Sequence, residues 1–210
     1  MLRIYLRELE EAIKDPAAYK DKMRNRSADS GHGHRATYYS ALRDAIFRFH
    51  DTKDIGEAGN YLYSRLDRFK KRNQQKQQNI NEQFMWYIDE YNSRNVDTID
   101  WRFNIVVPLP DRVLEPIPIS GQIGRFDFNN DTRGYSIWLF RNRGYEGWQD
   151  EFRMPLIQHA ISRKMYTPID RIKIGIYSFE DRYIDATSYS EQVIEDAREQ
   201  LDHFLQKLGI

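Results

Sequence analysis

Apolar side chains recur at intervals of three and four residues through most of the first hundred positions. This spacing is typical of amphipathic helices, because residues that far apart lie on one helix face. Between two such stretches, residues 24–36 are polar, contain glycine and show no periodicity, so they are predicted to form a mobile loop. The predicted helical stretches are 2–23, with a break at Pro16, then 38–50, 55–69 and 84–91.

The pattern changes at Trp101, where β-branched and aromatic residues become frequent. Ser190 is the expected N-cap of a last helix that ends before Gly209. The predicted fold class is α/β, with a helical segment at 1–100 that packs on an α/β core at 101–210. The core is predicted to contain strands at 101–107, 117–128, 135–140, 172–179 and 183–187, and helices at 148–165 and 190–208.

The composition limits the classes of partner. The 32 basic and 32 acidic residues cancel, so any attraction to nucleic acid must come from a local patch rather than from the whole chain. The absence of cysteine excludes disulfides, iron–sulfur clusters and thiolate zinc sites. No apolar run is long enough for a membrane span or a signal peptide, so no membrane partner is expected and a cytoplasmic location is predicted.

One basic run could contact nucleic acid. Lys70, Lys71 and Arg72 begin a stretch through Gln78 that contains no acidic and no apolar residue. Such a run favours contact with phosphates. An ordinary solvated helix face is the alternative interpretation.

Three segments of the second half carry a family resemblance. These are Ser120–Asp127, Tyr135–Arg141 and Phe152–Ile157. In sequence and in element order they resemble the RecB-like branch of the PD-(D/E)XK nucleases. The resemblance implies a core of the order helix, strand, strand, strand, helix, strand, with a mixed sheet flanked by helices.

Several motif residues of that family are replaced here. Gly121 and Arg125 match the first motif, but Gly124 stands where the family has its metal-binding aspartate. In the second motif Leu139 replaces the acidic residue and Arg141 the lysine. The helix motif has Arg153 in place of glutamine and Ile157 in place of tyrosine, and the family's histidine falls near Arg43.

These replacements bear on catalysis together. Phosphodiester hydrolysis of this type needs carboxylates to hold Mg²⁺ or Mn²⁺ and a lysine to orient the nucleophile. Glycine and leucine offer no ligand atoms, and arginine is a poor proton-transfer group. The resemblance therefore implies a fold without a catalytic centre and without a cofactor. A relocated site for Mg²⁺ or Mn²⁺ is the alternative, built on Asp127, Asp131 and Glu151, with Glu146 and Asp150 nearby in sequence.

Three functional hypotheses follow. In the first, a non-catalytic subunit binds a nucleic-acid backbone, or assembles with a protein such as an active nuclease or helicase. The second is an active nuclease with the relocated metal site, and the third is an interaction protein that touches no phosphate. The first is favoured by the arginines near the lost catalytic positions, which are Arg125, Arg141, Arg143 and Arg153.

Overall fold

The computed structural model describes residues 4–26, 37–69, 73–109, 118–144 and 146–209. Over these ranges the chain is a mixed α/β protein with seven α-helices and two sheets. The helices are α1 (Leu9–Lys14), α2 (Pro16–Arg26), α3 (Tyr38–Thr52), α4 (Ile55–Leu66), α5 (Gln74–Asn92), α6 (Arg153–Met165) and α7 (Glu191–Leu208). The strands are β1 (Ile4–Tyr5), β2 (Val96–Trp101), β3 (Asn104–Val107), β4 (Ile119–Gln122), β5 (Arg125–Asn129), β6 (Gly134–Arg141), β7 (Ile172–Ser178) and β8 (Tyr183–Thr187).

The larger sheet has the strand order β2-β5-β6-β7-β8. Strands β6 and β7 are parallel, and every other neighbouring pair in this sheet is antiparallel. Parallel neighbours need a long crossover connection, and α6 provides it. The smaller sheet has the order β1-β4-β3, in which β1 runs parallel to β4.

Helices cover both faces of the larger sheet. Neighbouring residues of a strand point to opposite faces, so Ile137 and Trp138 of β6 belong to different apolar clusters. On the Ile137 side the cluster includes residues of α1, α2, α6 and α7, whereas on the Trp138 side it includes residues of α3, α4 and α5. The domain division at 100/101 stays a prediction.

Two predicted strands are wrong, because each is divided between the two sheets: the predicted strand at 117–128 is β4 in the smaller sheet and β5 in the larger one. The sequence predicts a single strand at 101–107, but β2 ends at Trp101 and β3 begins at Asn104 in the other sheet. The chain bends at Arg102, whose φ of 60° is rare for a residue with a side chain, and its antiparallel pairing with residues 119–125 continues through the bend. The run of apolar and aromatic residues is continuous there, so the sequence does not indicate this bend. The predicted order of elements is not confirmed.

Several observed ends of the helices agree with the predicted ends or differ by a few residues. Ser190 caps α7 by accepting a hydrogen bond from the amide of Val193, and Gly209 follows the helix at φ 79°, which confirms both predicted ends. Helix α6 begins at Arg153, so Pro155 lies in the first turn, where a missing N–H costs nothing. Helix α2 continues through Arg26, so residues 24–26 of the predicted loop are helical, and residues 27–36 lie outside the described ranges. No helix in the part of the chain described above has the length and apolarity needed to cross a bilayer.

Candidate anion-binding site

A cleft of about 460 Å³ opens between the smaller sheet, β6, α3 and α6. Three arginines line it, and each comes from a different part of the chain. Arg7 follows β1, Arg43 lies on α3 and Arg153 is the first residue of α6. Among the described residues that line it none carries a carboxylate, so this cleft concentrates positive charge on a chain whose net charge is zero.

Polar and apolar side chains complete the lining. The amides of Asn104 and Gln122 lie on facing strands of the smaller sheet, and amide groups both donate and accept hydrogen bonds. Leu139 and Ile157, which fall at the positions of an acid and a tyrosine in the sequence resemblance, also line the cleft. The cleft therefore combines cationic donors with an apolar wall, and it has no oxygen ligand for a divalent cation at Leu139.

A buried glutamate lies beside the cleft and partly neutralises it. Both carboxylate oxygens of Glu151 accept from Nη2 of Arg141, at 2.6 and 2.7 Å. The second oxygen also accepts from Nε of Arg153 at 2.7 Å. Glu151 is 7% exposed, and its carboxylate is held by two guanidinium groups. Glu10 also lies here and accepts from the amides of Phe152 and Arg153 at 3.2 and 3.1 Å, so two carboxylates balance the two arginines at this side of the cleft.

Arg43 has a donor that no described side chain or backbone group satisfies. Its Nε is buried without a hydrogen-bond partner. Its Nη2 lies 3.9 Å from Oδ1 of Asp44, whose other oxygen is bound at 2.8 Å by Arg65. Buried donors without an acceptor are rare and often mark the position of an ion or a water molecule. Arg43 therefore lines the cleft with one donor unsatisfied.

Gly124 does not lie open to a metal ion. A Cβ atom at this position would lie 2.5 Å from Cγ of Phe140, closer than two carbon atoms can approach. The Phe140 ring is itself packed against Phe47 and Tyr177. The glycine is therefore required for the close approach of the Phe140 ring of β6.

Arg125 is not available to a phosphate, which contradicts its predicted role. Its side chain is fully buried on the opposite face of the sheet from Leu139. Its Nε donates to Asp127 at 2.8 Å, and its two terminal nitrogens donate to the hydroxyls of Tyr87 at 2.6 Å and Tyr177 at 3.0 Å. The helices α3, α4 and α5 cover this face, so the arginine stabilises the interior.

The carboxylates of the alternative metal site are engaged in separate places. Asp127 also accepts from Trp138 Nε1 and Thr98 Oγ1, both at 2.9 Å. Asp131 accepts from Asn95 Nδ2 at 2.8 Å in a turn, and Glu151 binds its two arginines. Among the residues described, no three histidine, aspartate or glutamate side chains converge in a way that could hold a metal ion.

Four predicted contact residues remain, of which the structure describes Arg143. Arg143 is exposed, forms an ion pair with Glu180 at 3.4 Å and does not line the cleft. Lys70, Lys71 and Arg72 lie outside the described residues. The sequence gives no signal for Arg7, which lies in a segment with helical spacing. It singles out Arg43 only because this residue falls near the position of a histidine in the resemblance. No local pattern indicates that these arginines meet Arg153.

The buried network around Arg125 reaches a histidine. Nε2 of His50 lies 2.6 Å from the hydroxyl of Tyr87, which accepts from Arg125. His50 is 1% exposed. Burial, together with the positive charges of Arg125 and Lys53, lowers the pKa of His50 to about 2. The imidazole is therefore neutral in the folded protein at any pH near neutrality.

This neutral histidine predicts a loss of stability in mild acid. Between pH 6.5 and the folded-state pKa, the unfolded chain binds a proton at His50 that the folded chain does not bind, so stability falls as the pH falls. The contribution from His50 is expected to be about 2 kcal/mol between pH 7 and pH 5. Urea unfolding of the wild type and of His50→Gln at both pH values measures it. An equal pH dependence in the two proteins would contradict the prediction.

Comparisons with known proteins do not assign a family. No protein-family model matches the chain, and no curated protein sequence matches it. The solved structure of a "Putative exonuclease" from Eubacterium rectale superimposes with a TM-score of 0.49 at 9% identity, over 99% of this chain and 81% of that one. The structure of SSO0001 superimposes with a TM-score of 0.30 at 6% identity, over 90% of this chain and 84% of that one. Neither score reaches the level that would establish a common fold, so the family resemblance of the sequence stays a prediction.

Proposed function

We propose that this chain is a non-catalytic protein that binds the phosphate backbone of nucleic acid in the cleft lined by Arg7, Arg43 and Arg153. The observation that carries the proposal is the concentration of three arginines in one cleft, where the described lining residues include no carboxylate. Guanidinium groups bind phosphate oxygens through paired hydrogen bonds. Because the chain has no net charge, this local charge has to supply the attraction.

The absence of catalysis in the proposal rests on three positions. Leu139 presents only carbon to the cleft, and Gly124 lies under the Phe140 ring. Arg141, at the position of the catalytic lysine in the resemblance, is bound to Glu151. Metal-assisted hydrolysis requires ligands that fix the ion and a group that orients the water. The residues at these positions provide neither.

Arg43→Gln is expected to weaken nucleic-acid binding by about tenfold at low salt, the effect of losing one charge-assisted contact. If Arg43 neutralises one phosphate of a single strand, the plot of log affinity against log salt should flatten by about 0.7. Fluorescence anisotropy with labelled single- and double-stranded DNA and RNA, over a series of salt concentrations, measures both quantities.

Arg48→Gln is the matched control. Arg48 lies on the same helix, its side chain is 45% exposed compared with 40% for Arg43, and it pairs with Glu57 outside the cleft. Its removal should change neither affinity nor salt slope. Undetectable binding of every probe at low salt would overturn the proposal and favour a protein-interaction role. Cleavage of the probes with Mg²⁺ or Mn²⁺ that is lost in Glu151→Gln would overturn its non-catalytic part.

A further inference from the structure

The size of the cleft limits what can enter it. A sphere of about 460 Å³ is about 10 Å across, whereas the major groove of a B-form duplex is by itself about 12 Å wide. A cavity of this size belongs to the range that holds small ligands. A duplex could therefore only rest on the rim, while a single nucleotide unit could be enclosed among the three arginines.

The charge of the lining favours a phosphate at the end of a strand. An internal phosphodiester carries one negative charge, whereas a phosphate monoester carries about −1.5 to −2 at pH 7. Arg7 and Arg43 both line the cleft. Arg43 lies 3.9 Å from Asp44, a carboxylate that also binds Arg65, and Arg153 shares Glu151 with Arg141. The excess of positive charge in the lining is better matched by the doubly charged group.

A basic surface leads out of the cleft along one side. The guanidinium of Arg43 lies 5.9 Å from the centre of the Phe47 ring, and that of Arg102 lies 4.7 Å from the same ring. Arg102 is exposed at the bend between β2 and β3. Strand β3 supplies Asn104 to the cleft. The positive charge therefore continues from the cleft wall onto the surface, where the following phosphates of a bound strand would lie.

We infer that the ligand of this site is a single-stranded nucleic acid bound by its phosphate-terminated end, with the terminal phosphate monoester among Arg7, Arg43 and Arg153 and the next phosphates near Arg102. This inference rests on the proposed function and narrows it to one class of substrate. The chain would then be a protein that recognises the ends of single strands. It also assigns a role to Arg102, which the sequence does not single out.

The test compares otherwise identical strands that differ only at their ends. Four internally labelled single-stranded oligonucleotides of one sequence are used: one with a 5′-phosphate, one with a 3′-phosphate, one with hydroxyls at both ends, and one closed into a circle. The full chain should bind one of the phosphorylated forms about tenfold more tightly than the hydroxyl and circular forms. Arg43→Gln should remove this preference and Arg48→Gln should keep it. Arg102→Gln should weaken all linear strands while the preference remains.

The possible failures separate the two proposals. Equal binding of all four strands would overturn the end-reading inference, while the proposed backbone binding would stand. No binding of any strand would overturn both. Competition by a nucleoside monophosphate that is as strong as competition by the phosphorylated strand would show that the site takes a free phosphate monoester, and would overturn the assignment to a strand end.

Discussion

Asp127→Ala is expected to destabilise the protein by about 3–5 kcal/mol, the cost typical of removing one partner of a buried ion pair. Asp127 and Arg125 are both fully buried. After the substitution, the guanidinium keeps only neutral acceptors, the hydroxyls of Tyr87 and Tyr177. Trp138 Nε1 loses its acceptor as well. An uncompensated buried charge is costly, because the interior cannot replace the solvation that water provides.

Urea unfolding measures this effect, with Glu195→Ala as the control. Glu195 pairs with Arg198 at the surface of α7, where the two side chains are 53% and 44% exposed, so its loss should cost less than about 1 kcal/mol. The double variant Arg125→Met with Asp127→Ala removes both charges and should lose less than the sum of the single variants. A value for Asp127→Ala within the control's range would mean that water reaches the pair in solution.

The position of this ion pair could not be predicted from the sequence. Arg125 and Asp127 alternate with Phe126 and Phe128 along β5, a pattern that favours charged residues on a solvent-facing side. Helices from the first half of the chain cover that side instead. The available signal was indirect: Tyr87 and Tyr91 are four residues apart and share one face of α5, and the rings of both lie about 5 Å from the Arg125 guanidinium.

The elements that the sequence predicts well are those with a complete local signal. Helix α7 has an apolar stripe, a capping serine and a terminal glycine, and the β5–β6 hairpin has a polar turn between its two strands. The cleft has no such signal, since Arg7, Arg43 and Arg153 are brought together only by the fold. The two-residue strand β1 is likewise set by its pairing with β4, because two residues show no periodicity.

Gly124→Asp tests whether this position is a vacated ligand position or a packing position. A carboxylate there is expected to destabilise the protein by about 3 kcal/mol or more, the combined effect of overpacking and of burying a charge. The first atom of the new side chain would already lie 2.5 Å from Cγ of Phe140, so the ring has to move. That ring contacts Phe47, Tyr177 and Phe179, so its displacement disturbs the apolar cluster on this face.

Two further variants separate the steric cost from the cost of the charge. Gly124→Ala adds only the clashing atom and should cost about 1–3 kcal/mol, part of which Phe140→Leu should restore in the double variant. Gly59→Ala in α4 is the matched control, because a Cβ atom there has no neighbour within 4 Å and the change should stabilise the helix by about 0.5–1 kcal/mol.

The metal dependence of Gly124→Asp then decides between the two interpretations of the glycine. Magnesium is expected to leave the melting temperature of Gly124→Asp unchanged, because Leu139 supplies no second ligand on the neighbouring strand and ligand binding raises stability only when it favours the folded state. A variant as stable as the wild type that Mg²⁺ stabilises further would show the opposite: Gly124 would be a lost metal ligand that one substitution restores, and Phe140 would be free to move aside.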